Sequence, residues 1–369
     1  MERVLVVGGG VVGTMHARQA LLLGHSVIQV EADAAPRRAS VRNFGLVWIS
    51  GRAAGPELSL ALRAREIWAS IGRDVPGVGF RSDGSLTIAQ APEELAVLEA
   101  VAAADDAGAR GVRMLDPATT RALNPAVKGE LLGALLCTQD GVVEPGRVLP
   151  ELRASFAATG RYEFRPSTSI ADVGPGWAED SRGNRFDADL VVICPGSRHE
   201  GVAASMLADA PLRRCRLQMM QTAPHPERLT TSLADGDSLR YYPVFARFPL
   251  EKLRPPSPLV TEHRIQLLVS QRATGELTIG DTHAYDEPFD FAVEEEPYEH
   301  LRSRVESLLG GPLPPVQRRW AGVYSQATDD RVCVRVSPAP GVVVVTGLGG
   351  RGMTLSPAVA EQTFAELGP

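Results

Sequence analysis

The sequence predicts an α/β chain that joins a discontinuous parallel-sheet domain to an antiparallel β-sheet domain. Three observations predict it. A glycine-rich strand–turn–helix–strand pattern opens the 369-residue chain. A second glycine-rich turn, set between a strand and a helix, closes it. Between them lie stretches of alternating apolar and polar residues with turn signals, as expected of strands that bury one face.

In the opening unit, "RVLVV" (Arg3 to Val7) is an apolar run fit for a buried parallel strand. "GGGVVG" follows, with the spacing Gly8-x-Gly10-x-x-Gly13. Gly8 permits a tight turn, Gly10 lets the backbone approach a pyrophosphate, and Gly13 lets the helix sit close to the sheet. Val11 and Val12 then start a helix whose free N–H groups and partial positive charge suit phosphates. The helix runs to about Leu23, with Gly24 as its stop. "HSVIQVE" is the second strand, and its terminal Glu31, followed by Ala32, is placed to accept hydrogen bonds from a ribose. A carboxylate there disfavours a 2′-phosphate. The unit predicts dinucleotide binding but does not by itself separate NAD from FAD.

The remaining elements follow in order. "RSDGSLTIAQ" reads as a strand near residues 81–90, and "APEELAVLEAVAAADDAGA" as an amphipathic helix interrupting the β-rich middle. "YEFRPSTSIADV" reads as one strand, around Arg161 to Val173. Asp189 to Ile193 is a strand broken by Cys194-Pro195-Gly196. Alternation and turn signals over 211–285 suit the antiparallel sheet, with Met219-Met220 as strand core. "KLRPPSPLVTEHR", around 252–264, is the expected mobile loop, either a lid or a surface excursion. Val342 to Val345 is the last strand, and a helix follows with Ser356 as N-cap and Pro357 at its first position. The turn between them carries Gly347, Gly349, Gly350 and Gly352. Such a turn can aim N–H groups at a polar ring edge, which favours a flavin.

Composition excludes several classes. The net charge of -6 argues against nucleic acid or anionic membrane as a main partner. No run of 18 apolar residues suggests a membrane span, and the acidic opening does not read as a signal peptide. The 4 cysteines are scattered and the 7 histidines show no metal-ligand spacing. The expectation is a cytoplasmic protein with no metal and no disulfide framework. Oligomeric state is not readable.

Together these segments resemble the superfamily of FAD-dependent amine oxidoreductases that contains D-amino-acid oxidase, glycine oxidase and sarcosine oxidase, over nearly the whole chain. Within it, "ASVRNFGLVW", "CRLQMMQTAP", "GELTIGDTH" and "GLGGRGMTLS" resemble a clade associated with aminophosphonate catabolism. The resemblance implies a glycine-oxidase-like fold: a Rossmann-like FAD-binding domain over 1–80, 140–205 and 320–369, and a substrate domain over 81–139 and 206–319. It places the FAD pyrophosphate on Gly8, Gly10, Val11, Val12 and Gly13, with the ribose on Glu31 and Ala32. Ser40, Arg42, Asn43, Phe44 and Gly45 would fold over the pyrophosphate and ribityl chain. Ile170 would contact the adenine, and Pro195 and Gly196 would pass near the cofactor. Gly347, Gly349, Gly350, Arg351, Gly352, Met353 and Thr354 would run along the flavin's pyrimidine edge. Gly322, two residues before Tyr324, stands where some sarcosine oxidases carry a flavin-linked cysteine, so FAD is expected to be non-covalent.

The implied reaction is oxidation of a small amine, 2-aminoethylphosphonate or an N-methylated derivative, by hydride transfer to flavin N5 and imine hydrolysis. Alternatives are a glycine, sarcosine or D-amino-acid oxidase, and an FAD-binding protein without turnover. Whether O2 or another acceptor reoxidises the flavin stays open. The cofactor carries the redox step, so no catalytic triad is expected. An anchor for the substrate's anionic group is required, and a phosphonate suits several donors. The candidates are Arg42, Arg240, Tyr241, Arg272 and Tyr324 for substrate, and Arg351, Tyr242 and His283 as catalytic groups. Arg42 could equally neutralise phosphate charge. Tyr241 and Tyr242, if in a strand, point to opposite faces.

Overall fold

A computed structural model of the chain describes residues 1–248 and 250–368. Its first large sheet has six strands in the order Val334–Ala339, Val342–Thr346, Leu190–Ile193, Arg3–Val7, Ser26–Val30, Tyr162–Arg165. All pairs are parallel except the first. The central strands are apolar throughout because helices cover the sheet: Val11–Leu22, Pro56–Asp74, Pro145–Ala157 and Gly352–Leu367 bury Met15, Trp68, Leu149 and Leu355 in one core with Val6 and Val343.

The second large sheet has eight strands: Val316–Ala327, Leu212–Pro224, Glu276–Gly280, Leu268–Gln271, Ser232–Ala234, Ser85–Ala89, Gly133–Cys137 and Val112–Leu115. It is antiparallel but for one parallel pair, Ser232–Ala234 with Ser85–Ala89. Val316–Ala327 pairs with Leu212–Pro224 along its length, so it belongs to this sheet although the expected boundary falls at residue 320. Met219 and Met220 are strand core, on opposite faces and in different clusters.

Three local expectations are corrected. The single strand expected over 161–173 is two: Tyr162–Arg165 in the parallel sheet, and Ile170–Gly174 in a separate three-stranded meander. Ser167, with a left-handed φ of 54°, breaks them apart. The last helix starts at Gly352, so Ser356 and Pro357 lie inside it. Pro357 has no N–H for the Met353 carbonyl, and the buried Trp68 Nε1 donates to that carbonyl instead (2.9 Å). A tertiary donor thus replaces the missing helical bond. The 252–264 segment contains a short helix, Pro258–His263, capped by the Ser257 hydroxyl, which accepts from the Val260 N–H.

His16 lies wholly inside this core, between the Val12 carbonyl (2.8 Å) and Thr363 Oγ1 (3.0 Å). Burial lowers its pKa from 6.5 to about 4. The unfolded chain therefore binds a proton that the folded chain refuses between these values. Stability is expected to fall as pH drops from 6.5 towards 4, by about 3 kcal/mol for this group. Urea titrations across that range should show a shallower decline in His16→Gln; equal slopes would clear His16 of the effect.

Candidate active site

A cavity of about 1000 Å³ is lined by residues of both large sheets, by Val11 and Val12 just after the opening glycine-rich turn, and by the last glycine-rich turn; Gly8, Gly10, Gly13 and Glu31 are outside the lining. At one end stand Val11, Val12, Ser40 and the Gly347–Thr354 turn. Here the opening turn is compressed against backbone. A Cβ on Gly8, whose φ is +119°, would lie 2.3 Å from the Cys194 carbonyl, and one on Gly13 would lie 2.1 Å from the Gly8 carbonyl. Only glycine fits either place. A Cβ on Gly10 would lie 3.0 Å from Ser40 Oγ. The Val11 N–H donates to Ser40 Oγ (2.9 Å), which leaves the hydroxyl proton for a ligand beside the helix N-terminus.

Glu31 accepts from the Gly9 N–H (2.7 Å) and the Asp33 N–H (2.9 Å), so its carboxylate is fixed on the turn. Arg153, which the sequence did not single out, donates to the Gly9 carbonyl and lies over the Phe164 ring at 3.8 Å. Gly196 is held by the Thr346 hydroxyl (2.8 Å) and lines the cavity; Pro195 and Ala32 adjoin it and Glu31 in the chain and do not line it. Ile170 is buried at the start of its strand, outside the lining.

The 39–48 segment is fixed from within and from outside. Asn43 donates to the Ala39 carbonyl (2.8 Å) and accepts from the Gly45 N–H (2.7 Å), so both ends of its amide shape the loop. It lines the cavity with one amide N–H still uncommitted. Gly45 sits at φ +75° with the Val143 carbonyl 2.2 Å from any Cβ. Arg272, expected at the substrate, is instead a half-buried clamp outside the cavity lining. Its guanidinium donates to the Phe44 and Asn43 carbonyls (2.9 and 3.1 Å) and to Thr278 Oγ1 (2.9 Å).

Arg351 is also committed to structure. It lines the cavity, but its guanidinium donates to the Leu348, Arg331 and Val332 carbonyls and to Glu57 (3.3 Å). Glu57 in turn pairs with the buried Arg52 at 3.5 Å. Carbonyls left open around the last glycine-rich turn thus absorb the charge that the sequence assigned to catalysis.

The cavity lining is also strongly aromatic, with Trp48, Tyr241, Tyr242, Tyr285 and Tyr324. Tyr241 and Tyr242 both face the cavity, edge to face at 5.1 Å, because they follow a single-turn helix, Gly236–Arg240, and are not in a strand. Strand alternation therefore does not apply to them. The Tyr241 and Tyr324 hydroxyls lie 3.4 Å apart. Burial pushes all three phenols above their ordinary range, so they stay protonated donors. His283 does not reach the cavity; it stacks behind Tyr241 at 4.3 Å. Asp281 and Gln266, neither marked by any local pattern, line the cavity from adjacent strand ends.

The residues fit a flavin nucleotide on three counts. The first helix presents its N-terminus to the cavity at Val11 and Val12, Ser40 keeps a free proton, and three buried polar atoms of lining residues lack partners: Trp48 Nε1, Gln266 Oε1 and Gln326 Oε1. No cysteine is among the described lining residues. Four exposed arginines complete the lining, Arg42, Arg213, Arg240 and Arg264, and none has a carboxylate partner among the described residues.

The profile of the family described as "DAO: FAD dependent oxidoreductase" matches residues 3–366. An opine oxidase chain of Rhizobium meliloti is 26% identical over 231 residues, 59% of this chain and 62% of that protein. The tRNA 5-methylaminomethyl-2-thiouridine biosynthesis bifunctional protein MnmC of Caulobacter sp. is 28% identical over 99% of this chain and 54% of its own length. The chain therefore spans less than two thirds of these relatives. Among solved structures, glycine oxidase from Bacillus cereus superposes with a TM-score of 0.80 at 19% identity, covering 100% of this chain and 97% of that one. Iminodiacetate oxidase from Chelativorans sp. BNC1 gives 0.76 at 18%, covering 97% and 93%. These two likenesses establish the glycine-oxidase-like fold. With the profile spanning nearly its whole length, the chain belongs to the DAO family of FAD-dependent oxidoreductases.

Proposed function

We propose that the protein oxidises a small amine bearing a doubly charged anionic group, 2-aminoethylphosphonate or an N-methylated derivative. One observation carries this reading: four arginines without carboxylate partners line the same cavity as Trp48 and four tyrosines. Elsewhere in the chain, arginines such as Arg63, Arg81 and Arg304 are ion-paired. Arg213 and Arg264 both lie on the Tyr285 ring, at 3.9 and 5.2 Å, which brings two guanidinium groups to one place. Such a pair can meet several phosphonate oxygens, where a single carboxylate needs only one fork.

FAD, when bound, would supply the acceptor for the two electrons that leave with the hydride from the substrate's C–H bond beside nitrogen. The chain's own residues bind and orient. In this reading the arginines hold the anion and the aromatic wall excludes water beside the carbon to be oxidised. Tyr241, Tyr242 and Tyr324, kept protonated by burial, offer hydroxyl donors to that wall. Gly8, Gly10, Gly13 and Ser40 would hold the pyrophosphate.

The test is an anaerobic panel scored by flavin bleaching. 2-Aminoethylphosphonate and its N-methyl form should reduce the flavin faster than glycine, sarcosine or D-alanine. In Arg213→Met/Arg264→Met, KM for the phosphonate should rise about 10²-fold or more with FAD occupancy unchanged, since each charge-assisted bond contributes about 1.5–3 kcal/mol. Preference for a carboxylate substrate, or an unchanged KM, would overturn the phosphonate assignment.

A further inference from the structure

An amine that arrives as an ammonium ion has no lone pair and cannot be oxidised until it loses a proton. We propose that Asp281 receives the substrate's amino group and takes that proton, with His283 as the positioning residue behind it. The inference rests on the amine-oxidation reading above.

Asp281 is a carboxylate in the cavity lining, 4% exposed, with no arginine or lysine partner among the described residues. One oxygen accepts from Gln266 Nε2 (2.9 Å). His283 Nε2 lies 3.8 Å from the same oxygen, Asp281 Oδ1, and is without a hydrogen-bond partner. The His283 Nδ1 lies 2.9 Å from the Arg264 carbonyl, which can only accept, so this nitrogen carries the ring's proton. In the neutral ring Nε2 then turns a lone pair towards the carboxyl group. A carboxylate facing a lone pair is unfavourable, and a carboxylic acid there is favourable. The site is thus built to accept one proton from the cavity.

The remaining groups that face Asp281 are Tyr241, Tyr242, Tyr324 and Cys215, all neutral, and all raised further by its charge. Burial pushes the Asp281 carboxyl above its ordinary range, which narrows the uphill gap to an ammonium. In the step itself an ammonium N–H bond breaks and an Asp281 O–H bond forms. The electron pair stays on nitrogen, and the new O–H points to His283 Nε2. The neighbouring Arg264, whose guanidinium reaches the His283 carbonyl (3.3 Å), would hold the substrate's anion at the same time.

Asp281→Asn tests this. At neutral pH its kcat/KM for 2-aminoethylphosphonate should fall about 10²–10³-fold, the range for loss of a positioned base. The rate should recover at alkaline pH, with the acidic limb moving towards that of a free alkylamine, about pH 10. Binding supplies a second readout. Methylphosphonate, which has no amine, should bind the variant as it binds wild type. 2-Amino-2-methylpropylphosphonate, which has no oxidisable C–H beside its nitrogen, should bind at least about tenfold more weakly. An unchanged pH profile would overturn the proposal. So would equal weakening of both ligands in Asp281→Asn and Asp281→Glu alike, which would assign Asp281 to the fold. A wild-type protein that no amine bleaches fails the broader reading, whereas full activity in Asp281→Asn fails this one alone.

Discussion

Gly13→Ala is expected to yield a folded protein that no longer retains FAD. The added methyl would stand 2.1 Å from the Gly8 carbonyl oxygen and 3.1 Å from its carbon. Those are backbone atoms, so no rotamer change relieves the clash, and the Val11–Leu22 helix must move off the sheet. Overpacking of this kind costs about 1–3 kcal/mol, which the buried core can absorb. The cofactor site cannot absorb it, because the helix N-terminus and the Gly8–Gly10 turn must converge on one pyrophosphate. FAD affinity should drop about 10²-fold, enough to lose the cofactor on purification. Flavin absorbance and a fluorescence titration read the loss, while far-ultraviolet circular dichroism confirms the fold. A yellow, stoichiometric Gly13→Ala protein would show that this turn does not hold the pyrophosphate.

That constraint was legible because it is local. Gly8, Gly10 and Gly13 encode a turn, a close approach and a helix contact within six residues. Both large sheets were legible for a similar reason, since alternation and apolar runs report which faces are buried. The cavity walls were not. Arg272 and Arg351 look alike as free cations in sequence, yet each has an acceptor from a distant segment, 228 and 294 residues away. Nothing near either residue reveals that its charge is already spent.

Tyr241 and Tyr242 show a subtler failure. The relevant signal was present in "ADGDSLRYY": the Asp235 side chain accepts from the Asp237 N–H and starts a single-turn helix. Read as turn chemistry, it would have placed both tyrosines together. The last helix failed in the opposite way. Ser356 and Pro357 obey the rules for a helix start, and Trp68, from another helix, overrides them by filling the vacant hydrogen bond. Asp281, Gln266 and Arg52 carry no local pattern at all, and only the crossing of distant strands and loops brings them to the cavity.

Asp140→Ala should have the largest effect on stability, although Asp140 touches neither glycine-rich turn. Its carboxylate is fully buried and accepts from four donors: the Ile49 and Ser50 N–H groups, the Ser50 hydroxyl (2.6 Å) and the Ser85 hydroxyl (2.6 Å). Burial raises its pKa, and the hydrogen bonds from Ser50, Ser85 and Ile49 offset part of that rise. The network ties the segment bearing Trp48 and Arg52 to the Ser85–Ala89 strand, and hence the cavity wall to the antiparallel sheet. Removing the carboxylate leaves four buried donors unmet, at about 1–3 kcal/mol each before relaxation. A net loss on the order of 4 kcal/mol is expected, a large share of a typical folding free energy of about 5–15 kcal/mol. Asp140→Asn should lose less, because one acceptor oxygen survives while its amide opposes the donors on the other side. Urea unfolding of the three proteins tests the order. A loss below about 1 kcal/mol in Asp140→Ala would mean that relaxation satisfies the donors. The wall would then owe its position to Arg272 and the Asn43 loop rather than to Asp140.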